Sequence, residues 1–130
     1  MIRKVLIADD EEGVRALVEA TLANDGTIKI FTAEDGQQAL DIARDVGPDV
    51  IFLDVMMPKL NGFEVCQALK SDPATRDIKI VMLTGLAQSP NGHMAVGEDR
   101  ADDYLLKPFS PVELFRKFEE MVGAMGYPTA

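Results

Sequence analysis

Short, continuous apolar runs alternate with segments of helical periodicity, and this alternation constrains the fold more than any other feature of the chain. Runs such as Val5–Ala8 and Val50–Leu53 contain no polar residue. That pattern is typical of strands buried on both faces of a parallel sheet. The segment after each run places its apolar residues three or four positions apart, as on one face of a helix. We therefore predict an α/β fold, with a parallel sheet covered by helices on both sides.

The pattern predicts five strands and the helices that connect them. The strands are expected over Val5–Ala8, Ile28–Ala33, Val50–Leu53, Ile78–Leu83 and Tyr104–Leu106. The last helix has Ser110 as N-cap, Pro111 at the first helical position and Glu113 to complete a capping box. Its predicted inner face consists of Leu114, Phe115, Phe118, Met121 and Val122. Proline and glycine interrupt the segment before the fifth strand, so we expect only a short, weak fourth helix within residues 93–100.

Length and charge narrow the class of protein. The 130 residues suit one domain, expected over residues 1–125, with a loose tail at 126–130. A net charge of −9 argues against direct binding of nucleic acid or anionic membranes. No apolar stretch approaches the roughly 20 residues that a membrane span needs. The single cysteine, Cys66, excludes an internal disulfide, predicts a cytoplasmic setting, and is expected to be a small buried hydrophobic residue.

Polar side chains follow or end four of the apolar runs. They are Asp9 and Asp10, Asp54, Thr84 and Lys107. Ligands of open α/β sheets bind outside the carboxyl ends of the strands, so these groups should meet at one edge. Three carboxylates that are packed together repel one another, and a hard cation such as Mg²⁺ would remove that conflict. The sequence therefore predicts a Mg²⁺ site at this edge.

The same set of groups fits the acceptance of a phosphoryl group. Asp54 can act as the nucleophile, because carboxylates form aspartyl phosphates. Lys107 would contact the phosphoryl oxygens as a point charge, and Thr84 would donate a hydrogen bond to them. The product would add a charge of about −1.5 to −2 and three strong acceptors. Drawing Thr84 toward those acceptors would provide a conformational switch.

With these motifs in place, the chain closely resembles the receiver domain of bacterial two-component response regulators, and within them the chemotaxis response regulators. The resemblance covers residues 3–123, with the motifs in the same order and spacing. The matching strings are Val5-Leu6-Ile7-Ala8-Asp9-Asp10-Glu11, Leu53-Asp54-Val55-Met56-Met57-Pro58 with Asn61-Gly62, Leu83-Thr84-Gly85, and Ala101-Asp102-Asp103-Tyr104-Leu105-Leu106-Lys107-Pro108-Phe109. The resemblance implies a flavodoxin-like (βα)₅ sandwich with strand order 2-1-3-4-5.

The resemblance also implies roles for individual residues. Asp54 would take its phosphoryl group from the phosphohistidine of a histidine kinase. Asp10, Asp54 and the Met56 carbonyl would bind Mg²⁺ directly, and Asp9 would act largely through water. Tyr104 would turn inward as Thr84 moves, although an aromatic residue at the edge of the core is the simpler interpretation of Tyr104.

Further implications concern the loops. Lys107–Pro108 is typically a cis peptide in the family. Arg100 stands where the family usually has a small residue, and the weak helix within residues 93–100 leaves the output or dimer surface in question. Met56 and Leu86 flank the acceptor with apolar side chains that cannot orient water, so we expect a comparatively long-lived phosphoryl state.

The predicted protein is a phosphoacceptor signalling domain and not a metabolic enzyme, with a limited capacity to phosphorylate and dephosphorylate itself. Its expected partners are a sensor histidine kinase or phosphotransfer protein and a downstream effector or fused output domain; a homodimer is possible. The main alternative is a scaffold that keeps this fold but is never phosphorylated. A phosphatase fits less well, because Met56 stands where a general-acid aspartate often lies. A nucleotide hydrolase lacks its Gly-rich loop.

Overall fold

The computed structural model describes residues 3–23, 25–85 and 101–124. Within these ranges the elements are β1 (Arg3–Ala8), α1 (Glu12–Leu22), β2 (Ile28–Ala33), α2 (Gly36–Val46), β3 (Val50–Asp54), α3 (Gly62–Lys70), β4 (Lys79–Thr84), β5 (Asp103–Leu106) and α4 (Pro111–Ala124). The helix predicted within residues 93–100 and the tail at 126–130 lie outside the described residues. No helix within the described ranges is long and apolar enough to cross a membrane.

The five strands form one parallel sheet in the order β2-β1-β3-β4-β5, which confirms the predicted order. Two strands extend one residue further than the apolar runs suggested, since β3 ends at Asp54 and β4 at Thr84. Asp54 pairs with Leu83, and Thr84 pairs with Leu106. The carboxyl ends of the strands therefore lie side by side at one edge of the sheet.

Both faces of the sheet are covered by a hydrophobic core. Successive strand residues point to opposite faces, so Leu6 and Ile51 pack toward α2 and α3 while Val5, Ile7 and Phe52 pack toward α1 and α4. All five side chains are fully buried. Burial of such a side chain stabilises the fold by about 1.5–3 kcal/mol. The apolar character of the runs thus follows from burial on both sides.

Side-chain hydrogen bonds fix the helix ends that border the site. Ser110 Oγ accepts from the Glu113 amide at 3.1 Å and Glu113 Oε1 accepts from the Ser110 amide at 3.1 Å, which confirms the predicted capping box. An equivalent box at Asn61 and Glu64 begins α3, with both distances 2.9 Å. The sequence analysis did not identify this second box, although Asn followed by Glu three positions later is its signature.

One aromatic side chain, Phe115, is less buried than its spacing suggested. Phe115 was placed on the inner face of α4, but 38% of its surface is exposed. A rotation of 100° per residue puts it at the margin of the apolar stripe, where its ring lies 6.4 Å from the Phe118 ring. In α3 the buried positions are Val65, Cys66 and Leu69, and Phe63 is only half-buried. Cys66 is confirmed as a small buried residue among apolar side chains.

Candidate functional site

Three carboxylates meet at the carboxyl edge of the sheet. One oxygen from each of Asp9, Asp10 and Asp54 lies within 4.8 Å of the other two. Asp9 is fully buried, Asp54 is 5% exposed, and Asp10 is exposed. They come together because β1 and β3 are neighbours in the sheet and both end here. The structure thus places the three predicted carboxylates close enough to share one cation.

The ammonium of Lys107 lies among these carboxylates. Its Nζ is 2.8 Å from Asp9 Oδ2, 3.2 Å from Asp54 Oδ1 and 3.5 Å from Glu11 Oε1. The backbone amide of Lys107 donates to the Thr84 carbonyl at 2.7 Å, which holds the loop after β5 beside the end of β4. One cation therefore faces three carboxylates, and the local charge remains negative.

Burial and the neighbouring charges together shift the pKa values of Asp54 and Lys107. Burial, and then the Asp9 charge, raise the pKa of Asp54 to about 7, although Lys107 and the Met56 amide act in the opposite direction. Burial acts to lower the pKa of the Lys107 ammonium, but the Asp9 and Asp54 carboxylates outweigh it and raise that pKa above its ordinary value. Lys107 therefore stays charged while the site still lacks positive charge.

Backbone contacts hold Asp9 in place. Its amide donates to the Ala33 carbonyl at 3.1 Å, and its Oδ1 accepts from the Glu11 amide at 2.9 Å. Its second oxygen, Oδ2, is buried and has an ion-pair partner in Lys107, but no hydrogen bond in good geometry within the described residues. A buried carboxylate oxygen in this condition favours an additional cation or a water molecule bound to one.

A tight loop after β3 holds Asp54 beneath the surface of the site. The Met56 amide donates to Asp54 Oδ1 at 3.3 Å, and the Gly62 amide donates to the Val55 carbonyl at 2.8 Å. A Cβ atom at Gly62 would collide with the Asp54 carbonyl, so only glycine fits this approach. The Lys107–Pro108 peptide is cis, as predicted.

An open cleft of about 360 Å³ lies above Asp54, lined by Asp10, Glu11, Asp54, Met56, Gly85 and Lys107. Met56 is 61% exposed at this cleft, and Asp54, which is 5% exposed, lies at its base. A small tetrahedral anion could therefore reach the carboxylate without any rearrangement of the core.

The two predicted switch residues lie on adjacent strands. Thr84 is buried and is the last residue of β4. Tyr104 is half-buried in β5, where it pairs with Met82 and packs against the core on the α2 and α3 side. Residues two apart in a strand point to the same face, so Thr84 and Tyr104 lie on one face of the sheet.

Three residues had no catalytic or metal-binding role in the sequence analysis, and two of them, Glu11 and Arg15, lie beside the site. The Glu11 carboxylate lies 3.5 Å from the Lys107 ammonium. Arg15 Nη1 donates to the Asp9 carbonyl at 2.7 Å. Asp102, which stood in a recognised string without a function, pairs with Lys70 at 2.8 Å. No sequence signal identifies these contacts, because each depends on how a loop or helix packs.

Comparisons with known proteins agree with this geometry. The family model described as response regulator receiver domain matches residues 5–119. A probable transcriptional regulator ycf27 from Guillardia theta is 45% identical over 111 residues, which cover 85% of this chain and 42% of that protein. Response regulator PleD from Caulobacter vibrioides is 41% identical over 122 residues, which cover 93% of this chain and 26% of that protein.

Solved structures lead to the same family. The chemotaxis response regulator CheY4 of Vibrio cholerae superposes with a TM-score of 0.84 at 32% identity, and the alignment covers 93% of this chain and 99% of that one. The chain spans about half the length, or less, of the curated relatives it matches. The matched family model, the strand order and the acidic edge of the sheet agree, and the chain belongs to the response regulator receiver domain family.

Proposed function

We propose that this protein relays a signal by accepting a phosphoryl group on Asp54, in a reaction that requires Mg²⁺. The observation that carries the proposal is the position of Asp54. Its carboxylate lies at the base of an open cleft, 3.2 Å from the Lys107 ammonium and within 4.8 Å of two further carboxylates. A nucleophile, a fixed cation and a shared cation site are the parts that phosphoryl transfer needs.

The proposed step exchanges one bond for another. An Asp54 carboxylate oxygen attacks the phosphorus of a phosphohistidine, a P–O bond forms, and the P–N bond breaks. The departing imidazole keeps the electron pair of the broken bond and can take up a proton. Lys107 holds the transferred oxygens by its charge, and Thr84 donates a hydrogen bond to one of them. Met56 leaves the approach to Asp54 open.

The acidic residues fit a hard cation. The donors are carboxylate oxygens, one of them buried without a hydrogen bond in the described residues, and burial together with the Asp9 charge raises the pKa of Asp54. Asp10, Asp54 and the Met56 carbonyl would hold Mg²⁺ directly, with Asp9 acting largely through water. When bound, Mg²⁺ would neutralise charge on the phosphoryl oxygens.

The phosphorylated state would bias a switch between two conformations. Thr84 would move toward the new phosphoryl oxygens, and Tyr104 would turn further into the space on the same face of the sheet. A shift of population from 1:99 to 99:1 requires about 5.5 kcal/mol of differential stabilisation. New charge-assisted hydrogen bonds from Lys107 and Thr84 would contribute part of this.

The lifetime of the phosphoryl group on Asp54 depends on whether a water molecule can be oriented to attack it. Met56 offers no polar side-chain group to orient a water molecule against the phosphoryl group, and Leu86, the other predicted flanking residue, lies outside the described residues. We propose a comparatively long-lived phosphoryl state, and loss within seconds would contradict this. The limited capacity for self-phosphorylation and self-dephosphorylation belongs to the same proposal.

We further propose the partners and the extent of the domain. The phosphoryl donor would be a sensor histidine kinase or a phosphotransfer protein in the cytoplasm, and the output would be a protein effector or a fused domain. Homodimer formation would be one route to output. The receiver domain would comprise residues 1–125, followed by the tail at 126–130; the family model itself matches residues 5–119.

Intact mass spectrometry tests the central proposal. The protein is incubated with acetyl phosphate and Mg²⁺, in parallel with Asp54→Asn and with Asp41→Asn as a matched control. Asp41 is an exposed aspartate of α2 that accepts a hydrogen bond from Gln37. We expect a single phosphoryl increment in the wild type and in Asp41→Asn, none in Asp54→Asn, and none when a chelator removes the metal.

The other outcomes point elsewhere. An increment that persists in Asp54→Asn would place the acceptor at a different residue. No increment in any variant, with phosphohistidine donors included, would favour the alternative of a receiver-fold scaffold that acts without phosphorylation.

A further inference from the structure

Within the described residues, no side-chain contact fixes the position of the Asp10 carboxylate. Asp10 is exposed, and within the described residues its carboxylate has no hydrogen bond or ion pair. Asp9 and Asp54, in contrast, are buried and paired with Lys107. The position of the Asp10 carboxylate therefore depends on its backbone, and above all on the peptide that joins it to Asp9.

Arg15 holds that peptide from the first turns of α1. Its Nη1 donates to the Asp9 carbonyl at 2.7 Å, which is a short, charge-assisted bond. Its Nη2 lies 3.6 Å from Glu34 Oε1, and only 14% of the Arg15 side chain is exposed. One guanidinium thus connects the loop after β1 to the loop after β2, a geometry for which its planar fork is suited.

Asp9 is fixed on its other side by the sheet. Its amide donates to the Ala33 carbonyl at 3.1 Å, and its Oδ1 accepts from the Glu11 amide at 2.9 Å. With the amide held by β2 and the carbonyl held by Arg15, the peptide plane before Asp10 has little freedom to rotate. Loss of the guanidinium would release only the carbonyl side, which is the side that carries Asp10.

We propose that Arg15 is a positioning residue, which orients the Asp9–Asp10 peptide so that the Asp10 carboxylate stays within reach of a divalent cation shared with Asp9 and Asp54. This inference rests on the Mg²⁺ requirement of the proposed function. Groups that orient metal ligands typically contribute tenfold or more to metal affinity.

The direction of the effect separates positioning from simple electrostatics. Arg15 brings positive charge close to a cation site, so its charge alone would weaken Mg²⁺ binding, and its removal would strengthen binding. If Arg15 acts by positioning, removal must weaken binding instead. The two interpretations therefore predict changes of opposite sign in the dissociation constant.

The test is a titration with MgCl₂, followed by backbone amide chemical shifts, for the wild type, Arg15→Gln and Arg15→Lys. Arg3→Gln is the matched control, because Arg3 is a half-buried arginine at the opposite end of β1, paired with Asp25. We expect the dissociation constant to rise about tenfold in Arg15→Gln. A smaller rise is expected in Arg15→Lys, whose single nitrogen can reach the carbonyl but cannot bridge to Glu34, and no change is expected in Arg3→Gln.

A second background shows whether the effect passes through Asp10. In Asp10→Asn, the addition of Arg15→Gln should cause less than a twofold further change, because the ligand that Arg15 orients is already lost. A tenfold loss in that background would overturn the positioning role. Equal or tighter binding of Mg²⁺ by Arg15→Gln would overturn it as well.

The amide spectra show at the same time whether each variant is folded. If Arg15→Gln does not fold, Arg15→Lys still tests the proposal, and affinity equal to that of the wild type would contradict it. Absence of Mg²⁺ binding in the wild type would refute the proposed metal requirement and this inference with it. Binding in the wild type with no loss in the Arg15 variants would refute this inference alone.

Discussion

Two largely buried lysines, Lys70 and Lys107, lie in different parts of the molecule and have different charged partners. The comparison distinguishes a lysine that stabilises the fold from one that belongs to the candidate site. The side chain of Lys70 is 11% exposed and that of Lys107 is 18% exposed. Both pair with carboxylates at 2.8 Å. Lys70 has a carboxylate partner in Asp102 and acceptors for all its hydrogen bonds, whereas the surroundings of Lys107 leave an excess of negative charge.

The site at Lys70 is complete. Its ammonium donates to the carbonyls of Arg76 and Ile78 at 3.1 and 2.7 Å, and to Asp102 Oδ2 at 2.8 Å. Asp102 Oδ2 also accepts from the Ile80 amide at 2.8 Å. Three ammonium protons thus meet three acceptors, and this clasp joins the end of α3 to the start of β4.

The site at Lys107 is incomplete. One ammonium serves Asp9, Asp54 and Glu11, and Asp10 adds a further carboxylate nearby. A cluster whose charges are balanced does not require a ligand. Excess carboxylate charge at an open cleft favours the binding of a cation or a reaction at one of the carboxylates. Charge balance, more than burial, distinguishes the two lysines.

The largest expected effect is on phosphoryl transfer. Lys107→Met removes the fixed positive charge beside the transferred group, and we expect the rate of phosphorylation by acetyl phosphate to fall about 100-fold. Lys70→Met should change that rate less than about twofold, because the clasp lies away from the cleft. Time-resolved intact mass at saturating Mg²⁺ measures both. Equal losses in the two variants would contradict the division of roles.

The second effect is on stability. Lys70→Met leaves two carbonyls without the ammonium donor and removes the closest cation from Asp102, which keeps the Ile80 amide. We expect the free energy of unfolding to fall by about 2–3 kcal/mol. Lys79→Met is the control, because Lys79 Nζ lies 3.9 Å from Asp102 Oδ1 at a more exposed position. Lys79→Met should lower the free energy of unfolding by less than about 0.5 kcal/mol. Urea unfolding compares the two, and a similar loss in both would show that Lys70 makes no special contribution.

The third effect is a pH dependence of stability that arises from Asp54 at the acceptor site. The pKa of Asp54 is raised to about 7 in the folded, metal-free chain, so the folded state binds more protons than the unfolded state between the ordinary carboxyl range and that value. Its contribution to stability is present at low pH and is lost as pH rises through about 7.

We therefore expect the free energy of unfolding of the metal-free wild type to fall by about 1–2 kcal/mol relative to that of Asp54→Asn between about pH 5 and pH 8. Saturating Mg²⁺ should reduce the difference, since a ligand that binds only the folded state stabilises it. Urea unfolding at several pH values, with and without chelator, tests this. Parallel pH profiles for the two proteins would contradict a raised pKa of Asp54.

The smallest effect concerns Glu11. It lies 3.5 Å from Lys107, but 66% of its side chain is exposed. Solvent screens such a pair, so Glu11→Gln should alter the phosphorylation rate less than about threefold. The rate assay used for Lys107→Met applies here without change. A loss comparable to that of Lys107→Met would mean that exposed charges count as much as buried ones at this site.

Much of the fold could be predicted because it follows from burial along the chain. The apolar runs around Val5 and Val50 required a sheet covered on both faces, and the capping box at Ser110 fixed the start of α4. The prediction for Phe115 was wrong because periodicity locates a stripe but not its margin. The margin of the stripe depends on how far the sheet extends beneath the helix, and only the tertiary structure determines this.

The candidate site was predictable where its residues end strands, and unpredictable where helices supply its support. The chain order alone places Asp54 and Thr84 at the edge of a parallel sheet, because every parallel strand ends on the same side. Arg15, in contrast, acts through a guanidinium that reaches a carbonyl six residues earlier. Nothing in the spacing of an amphipathic helix distinguishes that arginine from an ordinary exposed one.

The sequence by itself therefore determined the class of fold, the order of the motifs and the chemical types that meet at the acceptor. Each of these depends on local patterns and on the geometry of parallel strands. Only the tertiary structure decided which lysine has enough partners for its charge and hydrogen bonds, which lysine faces excess negative charge, and which arginine donates to the Asp9 carbonyl. Charge balance and orientation depend on distances of a few ångströms between residues far apart in the chain, and such distances are set when the helices pack against the sheet.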